Sequence, residues 1–200
     1  MSTENAPAPR RTAGPMEALS DLLAGNRRFV GGRPRHGHHV SAAAAAASGE
    51  QQPSAVVIGC IDSRVPLEAI FDQTFGSICV VRSGAHVLDL AVRGSVEFAL
   101  GQLRVPLVVV LGHQRCGAVG LTIEALRAGQ RPDGALAYLF DEIAPAVLDV
   151  GLDAEDLQTK AVRRHVERTV ERLGTFAVPG QVDVVGAVYD LDSGKVALLD

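Results

Sequence analysis

Ala55-Val56-Val57-Ile58-Gly59-Cys60-Ile61-Asp62-Ser63-Arg64 opens as a short, β-branched apolar run and breaks abruptly into a polar cluster. The same pattern recurs downstream, where Leu107-Val108-Val109-Val110-Leu111 is followed by Gly112-His113-Gln114-Arg115-Cys116. Runs that are apolar throughout, rather than alternating, are those of parallel strands buried on both faces. Ile78–Val81 and Val182–Val188 are of the same kind, and Val196–Leu199, after the turn Asp192-Ser193-Gly194, reads as a final edge strand. Between these runs the apolar residues recur at helical spacing over Leu88–Leu103, Ala118–Ala128, Leu136–Val150 and Ala154–Leu173. In the last of these, Leu157, Val162, Val166, Val170 and Leu173 form an inner stripe on a charged helix. Strands alternating with helices predict an α/β fold, a mostly parallel central β-sheet flanked by helices.

Upstream of the sheet, Pro15 suits a first helical turn, and Leu19, Leu22, Leu23 and Phe29 predict a helix over Met16–Val30, stopped by Gly31-Gly32-Arg33-Pro34. This gives the fold an N-terminal helical arm. The alanine run Ala42–Ala47, with Ser41 as N-cap, predicts a further short helix. Residues 1–14, rich in Pro, Ala, Thr and Arg, are expected to be a disordered or loosely docked arm, and residues 15–200 a single domain.

The chain has 200 residues, 47% of them apolar and 21% charged, which excludes a disordered polymer. Its net charge of -4 carries no basic footprint for nucleic acid. The run Val105–Leu111, interrupted by Pro106, is far short of the roughly 20 residues a membrane span needs. The N-terminus lacks the apolar segment of a secretory signal, so a cytoplasmic location is expected. Three cysteines make no disulfide framework, and reduced cysteines serve as metal ligands, nucleophiles or core fillers.

Both polar clusters follow the carboxyl ends of predicted parallel strands, where open α/β sheets build their sites. If those strands are neighbours, Cys60, His113 and Cys116 converge. Two thiolates and an imidazole are a zinc ligand set that leaves a fourth position for water, and thiolates disfavour magnesium or calcium. A lone buried cysteine is more often a small hydrophobe, and a cysteine nucleophile paired with His113 would use the same side chains. Spacing alone leaves these alternatives open. Asp62 is placed either to fill the fourth zinc position, which would close the site, or to pair bidentately with Arg64, which would hold it away. In the open form a zinc-bound water, its pKa lowered to about 7, would face an ionised Asp62 that orients it.

With these residues in hand, the sequence resembles the β-class carbonic anhydrases. The likeness rests on Cys-Ile-Asp-Ser-Arg-Val-Pro at 60–66, Phe71-Asp72, Val-Val-Arg at 80–82, Gly94-Ser95-Val96-Glu97-Phe98, and Leu-Gly-His-Gln-Arg-Cys-Gly-Ala-Val at 111–119. It extends to Leu23-Ala24-Gly25-Asn26-Arg27-Arg28-Phe29 and to Val185-Gly186-Ala187-Val188-Tyr189-Asp190-Leu191. The resemblance implies zinc on Cys60, His113 and Cys116, and Asp62 and Arg64 as the catalytic dyad. The implied reaction is reversible hydration of carbon dioxide to bicarbonate by a zinc-bound hydroxide. Gln51 falls where plant-type members place a substrate-binding glutamine, and Phe98 and Gly117 are the further substrate-binding candidates. The bicarbonate-inhibited subtype carries a tryptophan where this chain has Val57, which implies the open subtype here. A homodimer or tetramer is implied, with the helix Met16–Val30 crossing to the partner and Phe98 reaching the partner's pocket. The alternatives on the same scaffold are hydrolysis of carbonyl sulfide or carbon disulfide, and a catalytically weak zinc-binding partner domain.

Two departures stand out. The family's Ala-Gly-Asn after the arginine is here Gly84-Ala85-His86, and Cys79 takes the place of a bulky aromatic. Cys79 is expected to be structural. His36, His38 and His39 read as a solvated loop, and His165 as exposed surface on the charged helix. His86 is expected to make an ordinary hydrogen bond, with a proton relay as the alternative.

Overall fold

A computed structural model describes residues 14–36, 51–175 and 182–199. The alanine run, His38, His39 and residues 1–13 lie outside the described residues. The chain order is α1 (Pro15–Val30), β1 (Ala55–Cys60), a one-turn α2 (Leu67–Ile70), β2 (Ile78–Ser83), a 3-10 turn at Gly84–His86 and α3 (Leu90–Gly101). It continues with β3 (Leu107–His113), α4 (Gly117–Arg127), α5 (Leu136–Val150), α6 (Leu157–Gly174), β4 (Asp183–Tyr189) and β5 (Val196–Leu198).

The five described strands join one sheet in the order β2-β1-β3-β4-β5. The first four are parallel, and β5 closes the edge antiparallel to β4. Every residue of β1 and β3 is buried, which is why their sequences carry no alternation. Because successive side chains point to opposite faces, each strand feeds two cores. Ala55, Val57, Leu107, Val109 and Leu111 meet Leu19 and Leu22 of α1 and Leu67, Ile70 and Phe71 of and after α2. Val56, Ile58, Val108 and Val110 meet α3 and the inner stripe of α6. A third cluster joins α4, α5 and α6 around Cys60, Ala85 and Cys116.

The segment Gly25–Phe29 is explained by how α1 docks. A Cβ on Gly25 would stand 1.8 Å from the Phe71 carbonyl oxygen, so only glycine allows this approach. Asn26, buried, donates to the carbonyls of Ile70 (3.2 Å) and Gly194 (2.9 Å) and accepts from the Val196 amide (2.9 Å). Arg28 pairs with the fully buried Asp72, which also receives the amides of Arg35 and His36. These contacts seat the carboxyl-terminal half of α1 on its own chain.

One correction concerns His165. It is 3% exposed, not a surface residue. On α6 it shares the face of Ala161, Val162, Val166 and Thr169, all buried.

Gly25→Ala should lower unfolding free energy by about 2–3 kcal/mol through overpacking against rigid backbone. Chemical denaturation followed by circular dichroism measures it, and Gly14→Ala, where a Cβ would meet nothing within 4 Å, is the control expected to change little.

Candidate metal centre

Adjacent strands β1 and β3 pair with Gly59 opposite Leu111, while β2 and β4 lie on their outer sides. The chain leaves this pair in opposite directions, and in open α/β sheets the crevice at such a point is where sites form. Cys60 ends β1, His113 ends β3, and Cys116 is the N-cap of α4. Their ligand atoms, two sulfurs and an imidazole nitrogen, all lie within 4.8 Å of one another, and all three residues are buried.

The details fit a cation. His113 Nδ1 is 2.8 Å from the Gln114 carbonyl oxygen, so Nδ1 carries the proton and Nε2 presents a lone pair. That Nε2 is buried and has no hydrogen-bond partner. Tetrahedral zinc would set such donors about 3.5–3.8 Å apart, within reach of small side-chain rotations here. The Cys60 thiol is pulled strongly down, first by Cys116 and then by His113 and the Asp62 and Ala85 amides, against the opposing effect of burial. The Cys116 thiol is pushed up, because it shares its proton with Cys60 and is buried. Two adjacent buried sulfurs resist both being negative, and a divalent cation would supply the charge needed to hold two thiolates.

Asp62 lies at the edge of this group, its Oδ2 3.9 Å from His113 Nε2. Arg64 grips it bidentately, Nε to Oδ1 at 3.0 Å and Nη2 to Oδ2 at 2.7 Å, and the Arg64 amide adds a third bond at 2.9 Å. That grip holds the Asp62 carboxyl well below the ordinary carboxylate range. Arg82 fixes the loop from behind, donating to the carbonyls of Cys60 (2.8 Å) and Asp62 (2.6 Å). Gln158 of α6 donates to the Cys116 carbonyl at 3.0 Å. The side chain of Gln114 bridges to Asp190 and the Leu191 amide. Sequence reasoning gives neither Arg82 nor Gln158 a role. For Arg82 the available signal is an arginine at the end of an apolar strand, and its register opposite Gly59 places it beside the loop.

The remaining candidates are not all brought together. Gly117 opens α4 beside Cys116, exposed, with open space where a Cβ would be. Phe98 stands on the outer face of α3, 57% exposed. Gln51 lies beside Gly76 at the amino end of the sheet. The length of β1, at about 3.3 Å per residue, separates it from Cys60 of the same chain by roughly 16 Å or more. His86 makes no hydrogen bond through either ring nitrogen and is 2% exposed, which corrects both readings offered for it. Burial and the neighbouring histidines push its pKa well down, so it stays neutral and is cut off from solvent. Cys79 is half-buried in β2, its thiol pushed up by burial, in keeping with a packing role.

Two cysteines and a histidine at the carboxyl edge of a parallel sheet, with a restrained carboxylate beside them, describe an α/β metalloenzyme of the zinc-thiolate kind. The family model for carbonic anhydrase matches residues 55–196. Carbonic anhydrase 2 of Mycobacterium tuberculosis is 41% identical over 193 residues, 93% of either chain. The carbonic anhydrase of Mycolicibacterium smegmatis is 39% identical over 194 residues, 92% of this chain and 93% of its own. Among solved structures, a β-carbonic anhydrase of Aspergillus fumigatus superposes with a TM-score of 0.68 at 26% identity, covering 91% of this chain and 90% of its own. The chain belongs to the β-class carbonic anhydrases, which are zinc-dependent lyases.

Purified protein should carry stoichiometric zinc by elemental analysis, and Cys60→Ala and Cys116→Ala should each reduce it to less than about a tenth. Arg82→Met, which keeps the aliphatic stem but not the donors, should retain zinc and raise its dissociation constant by about tenfold.

Proposed function

We propose that this chain catalyses the reversible hydration of carbon dioxide to bicarbonate and a proton, with Cys60, His113 and Cys116 holding zinc and Asp62 and Arg64 as the catalytic dyad. The observation that carries the reading is the placement of Asp62: its carboxylate borders the ligand cluster yet is committed to Arg64 by three hydrogen bonds. Zinc supplies Lewis acidity, which brings the ionisation of water near neutral pH. Asp62 accepts a hydrogen bond from the attacking water and so aims its lone pair at the substrate carbon. Arg64 keeps that carboxylate ionised and, with both oxygens engaged, would keep it from ligating a bound zinc, as the open-site reading requires.

Carbon dioxide is small and uncharged, so its pocket needs apolar walls and few donors. The Gly117 amide, at the start of α4, is the donor we assign to the product bicarbonate within the same chain. Gln51 and Phe98 are too far from the chain's own site or face outward, so we assign them to the site of a second copy, in a homodimer or a tetramer built from dimers. The described cysteines are all free. No described helix is long and apolar enough to cross a membrane. A thiolate metal site suits a reducing compartment, and we place the enzyme in the cytoplasm, with residues 15–200 as its one catalytic domain.

Stopped-flow carbon dioxide hydration is the test. Asp62→Asn should keep zinc and lose about 100- to 10,000-fold in kcat. Unchanged turnover in the Asp62→Asn variant overturns the dyad. Because Arg64 depresses the folded-state pKa of Asp62, wild-type activity should show no loss from Asp62 protonation even as pH falls through about 4, where an ordinary aspartate titrates. Arg64→Ala should return that pKa toward its ordinary value, and the acid limb should move to higher pH.

A further inference from the structure

Ala85 and His86 are consecutive non-glycine residues in the left-handed region, with φ of 48° and 51°. Each costs about 1–2 kcal/mol, and such conformations persist only where their surroundings over-determine them. The neighbouring glycine, Gly84, does not itself take the left-handed conformation. A Cβ on Gly84 would come 2.7 Å from Leu139 Cδ1 of α5. The left-handed position falls on Ala85, which is completely buried.

What the conformation achieves is visible on both sides of Ala85. Its N–H donates to Cys60 Sγ at 3.4 Å. Its carbonyl oxygen meets Nε2 of His165 at 3.0 Å, a contact between residues 80 apart in the chain. A carbonyl only accepts, so the imidazole proton sits on Nε2. Burial keeps the ring neutral, its pKa pushed down to about 4, so this single N–H is the one it has. The His86 ring packs against the His165 ring with centroids 4.6 Å apart, which fills the space beside the imidazole.

We propose that His165 is a positioning residue for the metal centre: by binding the Ala85 carbonyl it holds the strained turn in place, and so keeps the Ala85 amide aimed at Cys60 Sγ. This rests on reading Cys60 as a zinc ligand. An amide donated to a ligating sulfur fixes its orientation and tempers its charge, and loss of such outer contacts typically weakens metal binding 10- to 100-fold.

The experiment measures zinc release from full-length protein into excess chelator, the thiolate-to-metal absorption of the cobalt-substituted protein, and the melting temperature of the metal-free protein. His165→Leu, apolar and of similar bulk, should release zinc at least about tenfold faster and shift the absorption band. His165→Gln, whose terminal N–H reaches the place of Nε2, should stay within about threefold of wild type. On an Ala85→Gly background, where the left-handed turn costs little, the effect of His165→Leu should shrink to under about threefold. Zinc release at the wild-type rate in His165→Leu overturns the proposal, as does a Gln variant as fast as the Leu variant, or an undiminished effect on the glycine background. If His165→Leu does not fold, His165→Asn, whose shorter side chain cannot bring an N–H to the place of Nε2, replaces it, with the same tenfold faster release expected and release at the wild-type rate overturning the proposal. A wild-type protein without zinc overturns the ligand reading and this inference with it; a zinc-loaded wild type with unresponsive variants overturns this inference alone.

Discussion

The parallel pairing of β1 with β3 is the constraint on which the rest depends. With Gly59 opposite Leu111, the two strands end side by side, and the residues that end them, Cys60 and His113, are forced into one crevice. No hydrogen bond between the two polar clusters is needed to bring them together, since the ladder does so. The cost of clustering two thiols and an imidazole in a buried place is offset by directed contacts: the Ala85 amide on Cys60, the Gln114 carbonyl on His113, and the Arg82 and Gln158 side chains on the loop carbonyls. Buried polar networks of this kind are valuable only when complete, because an unpaired member in a low dielectric is expensive. His113 Nε2, with no hydrogen bond of its own, stands beside the two sulfurs, where a cation would complete the set.

Much of this is legible in the residues because strands buried on both faces cannot hide their composition. Val56 to Gly59 and Leu107 to Leu111 can be read as central strands without knowing what covers them. Helices α3 to α6 are likewise visible in their spacing, to within a few residues at their ends. The start of α6 lies at Leu157 rather than the expected Ala154, after a left-handed Asp156 whose conformation no periodicity reports. The one-turn helix after Pro66 and the 3-10 turn at Gly84–His86 are too short to generate a period.

The ligand set and the Asp62–Arg64 pair are readable because their chemistry is unusual for their positions. His165 is misread when residue type is allowed to outweigh spacing. It sits among arginines and glutamates in sequence, yet lies three and four residues from Val162, Ala161 and Thr169, all inward. Its partner, the carbonyl of Ala85, is a backbone atom and leaves no mark on composition. Gly84 illustrates the same limit. Its displacement relative to the family pattern leaves the left-handed position to Ala85, while the Leu139 side chain of another helix lies against Gly84 itself.

Asn26 ties the first helix to the last hairpin, bonding Gly194 and Val196 at once. During synthesis the chain emerges amino end first, so α1 is made long before the partners that secure it. Until Gly194 and Val196 have left the ribosome, its buried asparagine has only the Ile70 carbonyl to satisfy it. The molecule is thus closed like a clasp whose two halves are made far apart in time, and a nascent chain cut short before Gly194 would leave that clasp undone.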